Sequence, residues 1–131
     1  MEEAISVIPA ATIMLMCDGE NGLEVLLLRR NQKAGFAPGA YVFPGGRVDA
    51  ADSEIAILDR IDSLTSKEAA LRLELTDGQP SGIAYYVAAV RETFEETGIL
   101  IAVSTDGSAP PTTAENQGVR ALRKALIGGG D

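Results

Sequence analysis

Arg91-Glu92-Thr93-Phe94-Glu95-Glu96 sets three carboxylates and one guanidinium within six consecutive positions, and Thr97-Gly98-Ile99 follows. On a helix of about 100° per residue, with Glu92 at zero, Glu96 falls at about 40° and Glu95 at about −60°. Val90, Phe94, Val87 and Ile83 fall at roughly 160–220° on the same wheel. One face is therefore apolar, and the opposite face is a carboxylate cluster. Like charges at i,i+3 and i,i+4 destabilise a helix by about 0.2–0.5 kcal/mol per pair. A multivalent cation held between them reverses that sign. Carboxylate oxygens suit Mg²⁺ or Mn²⁺, which keep several waters and share their remaining ligands with a substrate's phosphates. The plainer alternative is a solvated acidic face on which Arg91 and Glu95 make an i,i+4 surface pair. Two features favour the cation. The cluster sits at a helix C-terminus, where the macrodipole disfavours anions. It is also preceded in the chain by Phe43-Pro44-Gly45-Gly46, whose two glycines permit positive φ and a close approach of backbone to a ligand.

The elements that must position these groups can be read in order. Ala10 to Cys17 reads as a buried strand, with Cys17 as a buried small residue. Asp18 to Gly22 is a turn on composition, and Leu23 to Arg29 is a second strand, so the two form a hairpin. Arg29 and Arg30 close that strand; a guanidinium there suits a substrate phosphate, the alternative being solubility at a strand edge. A loop over Asn31–Ala40 leads to a short strand, Tyr41–Phe43, which delivers Gly45 and Gly46. Ser53 to Asp62 has helical character. Thr65-Ser66-Lys67-Glu68 is a capping-box signature for a helix continuing through Ala69–Leu75. Asp77 to Gly82 breaks the chain before the carboxylate helix, Ile83–Thr97, with Gly98 suited to a left-handed C-cap. Ile99 to Val103 reads as a β-branched strand. Thr112 or Thr113 caps a last helix running toward Ile127.

At 131 residues the chain is at most one domain, and 46% apolar content marks it as globular. A net charge of −8 argues against non-specific nucleic-acid binding, which relies on clustered Lys and Arg. The single cysteine excludes an intrachain disulfide and fits a reducing cytoplasm. The absence of histidine excludes His-based triads and His metal ligands within this chain. Met1-Glu2-Glu3 is acidic where a signal peptide would be basic. No apolar stretch approaches the roughly 20 residues of a membrane span.

Arg91-Glu92-x-x-Glu95-Glu96-x-Gly98-Ile99 resembles the core of the Nudix box of Nudix hydrolases, and Pro44-Gly45-Gly46 resembles the glycine turn that opens it. Asp52 stands where the family usually has the first glutamate, and Thr93 replaces a usual aliphatic residue. Arg91 follows Gly46 much later than in the usual box, so residues 50–82 form a helical insertion within it. The split box resembles the Nudix subgroup related to the peroxisomal coenzyme A diphosphatases. The resemblance implies an α/β (α+β) fold, a mixed β-sheet between helices. Only a short segment follows Val103, so the sheet is expected to be incomplete at the C-terminus. The chain then reads as a truncated single domain over residues 1–131, or as one completed by a partner chain. The insertion reads as a cap that shapes substrate choice or offers a homodimer surface. By the same resemblance Glu92 and Glu96 are the principal ligands of Mg²⁺ or Mn²⁺, with Glu95 a third or held by Arg91. The Gly46 carbonyl and Asp52 are further ligands, and Arg29, Arg30, Gly45 and Gly46 bind substrate. The implied activity is hydrolysis of a diphosphate, in coenzyme A or acyl-coenzyme A. The alternatives are another nucleoside diphosphate derivative (ADP-ribose, NADH, a nucleotide sugar) or a truncated nucleotide-binding module without turnover.

Overall fold

The computed structural model describes residues 7–35, 37–62, 64–76 and 79–128. Among the described residues six short strands precede four α-helices: β1 Ala10–Thr12, β2 Met16–Gly19, β3 Gly22–Val25, β4 Leu28–Arg29, β5 Tyr41–Val42, β6 Gly45–Arg47, α1 Ile55–Leu58, α2 Ser66–Arg72, α3 Gly82–Thr97 and α4 Gln117–Gly128. The strands pair as three two-stranded ladders, β1 with β6, β2 with β3, and β4 with β5. No helix among the described residues is long and apolar enough to cross a membrane. The chain divides into two compact units, one drawn from Met1–Ala11 and Gly46–Ala89, the other from Thr12–Gly45 and Val90–Asp131.

The first unit is held by small buried residues. Ala69, Ala84 and Ala88 are fully buried, and Ile83 nearly so. Gly82 opens α3 so close to α2 that a Cβ on it would run into the backbone of Ala69 and Ala70. The expected capping box is present: Glu68 N–H donates to Thr65 Oγ1 at 3.2 Å, and Thr65 N–H donates to Glu68 Oε2 at 2.9 Å. Two backbone donors at the start of α2 are thereby satisfied. The helix stops at Arg72, short of the expected Leu75, and Glu74 takes the left-handed conformation (φ 52°). The helical character expected over Ser53–Asp62 resolves into a 3₁₀ turn at Ala50–Ser53 and the single turn of α1.

In the second unit β2 and β3 form the expected hairpin, in the register Met16↔Val25, Cys17↔Glu24, Asp18↔Leu23 and Gly19↔Gly22. The run from Ala10 to Cys17 is not one strand but is broken between Thr12 and Met16. Cys17, expected to be buried, is exposed. The reason lies in pairing: a strand buries its apolar positions only against a covered face, and Met16, Leu23 and Val25 of this hairpin are exposed as well. β4 pairs with β5 through Leu28↔Val42 and Arg29↔Tyr41, and Arg30 N–H extends the ladder to Ala40 O at 2.9 Å. Ile99–Val103 is not a strand. Its β-branched residues favour a pleated, half-buried surface, and among the described residues no strand pairs with them. α4 is capped by Asn116, whose Oδ1 accepts from Gly118 N–H at 2.9 Å and Val119 N–H at 3.1 Å, instead of by Thr112 or Thr113. Thr112 instead closes a turn with Glu115 just before it.

Candidate active site

α3 forms where periodicity placed it. Phe94 and Thr93 are buried, while the carboxylates lie on the partly exposed side. Gly98 ends the helix in the left-handed region (φ 78°), and its N–H donates to Phe94 O at 2.8 Å. This is the closure that glycine permits without steric cost.

The three carboxylates are not equivalent. Arg91 Nη1 donates to Glu92 Oε1 at 3.0 Å and to Glu95 Oε1 at 3.2 Å, so one guanidinium ties two of them together. Glu96 instead accepts from the Gly45 N–H at 3.2 Å through Oε2. Burial pushes the Glu96 carboxyl above its ordinary value, and the charges of Glu92 and Glu95 push it the same way. The Gly45 amide and the Arg30 charge pull it back. Glu96 thus carries a negative charge that its surroundings do not fully compensate, which is the electrostatic condition a bound cation relieves.

Glu96 lines an open cleft of about 430 Å³ with Leu28, Arg29, Arg30, Asn31, Ala34 and Val42. The β4–β5 ladder positions both arginines, because Arg29 pairs with Tyr41 and Arg30 follows it. Among the described residues Arg30 Nε is buried and has no hydrogen-bond partner.

The structure brings Arg29, Arg30, Gly45, Arg91, Glu92, Glu95 and Glu96 into the second unit. Gly46 and Asp52 belong to the first. Asp52 is buried, and its Oδ2 accepts from Asp49 N–H at 2.8 Å. Among the described residues no three acidic or thiol side chains are already gathered at metal-holding spacing. The donor chemistry nevertheless fits a hard divalent cation: Glu92 and Glu96 are one turn apart, are carboxylates, and Glu96 has an excess of negative charge around it. The sequence reading missed Arg123. Its Nε donates to Phe94 O at 3.1 Å and Glu95 O at 3.0 Å, and its Nη2 to Glu96 O at 3.0 Å. A signal existed: a basic residue in an amphipathic helix near the chain's end, with a helix terminus left to satisfy.

Residues 1–127 match the family model of the NUDT19 Nudix domain. The chain is 36% identical to the acyl-coenzyme A diphosphatase NUDT19 of Gallus gallus over 70% of its length, and 35% identical to that of Homo sapiens over 68%. In each case the match covers 30% of the relative. A crystal structure of a NUDIX hydrolase from Alicyclobacillus acidocaldarius superposes with a TM-score of 0.62 at 31% identity, over 98% of this chain and 52% of that one. The chain therefore spans under a third of the length of these curated relatives and about half of the solved structure.

Proposed function

The chain belongs to the Nudix family, and from that premise we propose that it is a metal-dependent diphosphate hydrolase acting on coenzyme A or acyl-coenzyme A. The observation that carries the reading is Glu96, held by the Gly45 amide in one cleft with Arg29 and Arg30. The names of the relatives support the substrate class.

A diphosphate entering this cleft brings negative charge that the protein must match. Arg29 and Arg30 both line the cleft, and a guanidinium there suits phosphate oxygens. Glu92 and Glu96 would hold Mg²⁺ or Mn²⁺, with Glu95 as a further candidate. The ion, when bound, neutralises phosphate charge and lowers the pKa of a coordinated water. Arg91 keeps Glu92 and Glu95 in one orientation. One of the three carboxylates takes the proton from the attacking water. The water oxygen bonds to phosphorus as the bridging P–O bond breaks, giving an adenosine bisphosphate and a phosphopantetheine. A reducing cytoplasm suits the exposed Cys17 thiol, which would otherwise be open to oxidation.

A second reading rests on the Arg29–Arg30 cleft, which suits a phosphate whether or not turnover follows. It is a nucleotide-binding module that shows ligand-induced stabilisation without turnover. Mass spectrometry of products separates the two. The chain is incubated with coenzyme A, ADP-ribose and NADH, with Mg²⁺, with Mn²⁺ and with chelator. Metal-dependent cleavage of coenzyme A is expected. Cleavage of another substrate alone refutes the coenzyme A assignment, and a melting shift with no product favours the binding module.

A further inference from the structure

We propose that Arg123 is a positioning residue for the carboxylate cluster: from α4 it clamps the last turn of α3, so that Glu92 and Glu96 stay converged to hold a divalent cation. This inference rests on the site proposed above.

The last carbonyls of a helix have no intrahelical partner and carry the negative end of its macrodipole. In α3 two of those carbonyls belong to Glu95 and Glu96 of the anionic cluster, and Phe94 O before them already accepts from Gly98 N–H. Arg123 reaches all three. Its forked guanidinium spans three consecutive carbonyls, Phe94 O, Glu95 O and Glu96 O, at 3.0–3.1 Å. All three of these bonds go to carbonyls and none to a carboxylate oxygen, so the guanidinium fixes the backbone without occupying the ligand atoms. A lysine cannot reproduce this, because its ammonium is a compact point charge rather than a planar fork.

The anchor is itself anchored. Asn116 caps α4, and Arg120 holds the segment before it through Thr113 O at 3.0 Å and Ala114 O at 2.9 Å. Gly98 lets this assembly close on the helix end: a Cβ there would come within 3.0 Å of Thr113 Oγ1 and 3.4 Å of Arg123 Nη1. Helix termini fray unless tied down. Here the turn that would fray carries Glu95 and Glu96, and fraying would scatter the carboxylates that must converge on one ion.

The test compares Arg123→Met, Arg123→Lys and the exposed control Lys124→Met in the full chain. Mn²⁺ affinity is read by electron paramagnetic resonance without substrate, kcat and KM at saturating metal, and folding by circular dichroism. Supporting groups behind metal ligands change affinity or activity by about 10–100-fold, so Arg123→Met is expected to weaken Mn²⁺ binding about tenfold and lower kcat about tenfold, with KM within about twofold. Arg123→Lys falls between, and Lys124→Met matches the wild type. A folded Arg123→Met chain whose Mn²⁺ affinity and kcat stay within about twofold of wild type overturns the proposal, leaving a helix cap only. If Arg123→Met does not fold, Arg123→Lys decides: Mn²⁺ binding weakened by at least about threefold supports the proposal, and wild-type affinity overturns it. A wild-type chain that binds no Mn²⁺ refutes the site itself, and this inference with it.

Discussion

The two ends of α3 are built on opposite principles. The first turns bury Ile83, Ala84 and Ala88, and Gly82 leaves no room for even one carbon against α2. The last turns leave Glu92 and Glu95 about one-fifth exposed, tied by Arg91, with the backbone held by Arg123. At the first end the side chains are small because volume is limiting. At the second they are charged, and each charge needs a partner. A helix on which every residue served packing would not place three carboxylates where its own dipole opposes them. The first end should therefore respond to substitution in stability, and the second in activity.

Glu96→Gln should give the largest effect. Loss of a group acting in proton transfer or charge stabilisation lowers turnover about 10²–10⁴-fold. The melting temperature should hold or rise slightly, because burial disfavours the charge that is removed. Gly82→Val reverses the pattern. Overpacking against backbone costs about 1–3 kcal/mol, read as a lower denaturation midpoint, while activity per folded molecule is kept. Thermal unfolding and rate measurements on the same samples would break the comparison if both variants lost stability and activity in parallel.

Smaller effects sharpen it. Gly98→Ala places a side chain at φ 78° beside Thr113 and Arg123, and should cost about 1 kcal/mol in chemical denaturation. Thr65→Ala removes the α2 cap and should cost about 1 kcal/mol with no change in turnover. pH separates the α3 carboxylates from the α2 cap as well. Glu96 has a raised folded value, so its contribution to stability is fully present below the ordinary glutamate range and is lost as pH rises through the folded value. Glu68 has a depressed value from its hydrogen bonds to Thr65, so its contribution is present above the ordinary range and is lost as pH falls through the folded value. Stability–pH curves of Glu96→Gln and Glu68→Gln should therefore differ from wild type with opposite signs.

Local chemistry was legible in the sequence, and long-range pairing was not. The bounds of α3 agree to one residue, because an apolar stripe and a glycine stop signal are local features. The Thr65–Glu68 box was legible for the same reason. Ile99–Val103 and Cys17 were misread because strand formation and burial depend on what pairs with or covers a segment, and propensity does not specify that. Asn116 displaced Thr112 as the cap of α4 because all three residues have the right chemistry and only the local fold chooses among them. At the site, the glycine pair and the carboxylates were both visible, although Gly45 and Gly46 lie in strand β6 and not in the expected turn. Their contact, Gly45 N–H to Glu96, bridges 51 positions and is a product of folding. Arg123 reaches α3 across 27 to 29 positions and left only a basic residue in an amphipathic helix as its trace.

The measurement closest to the central claim is the rate of coenzyme A cleavage by the full chain with saturating Mg²⁺, set against Glu96→Gln at equal folded concentration. The account predicts cleavage by the wild-type chain that chelator abolishes, and a rate at least about 10²-fold lower in the variant. A folded Glu96→Gln chain that cleaves coenzyme A at the wild-type rate would contradict it.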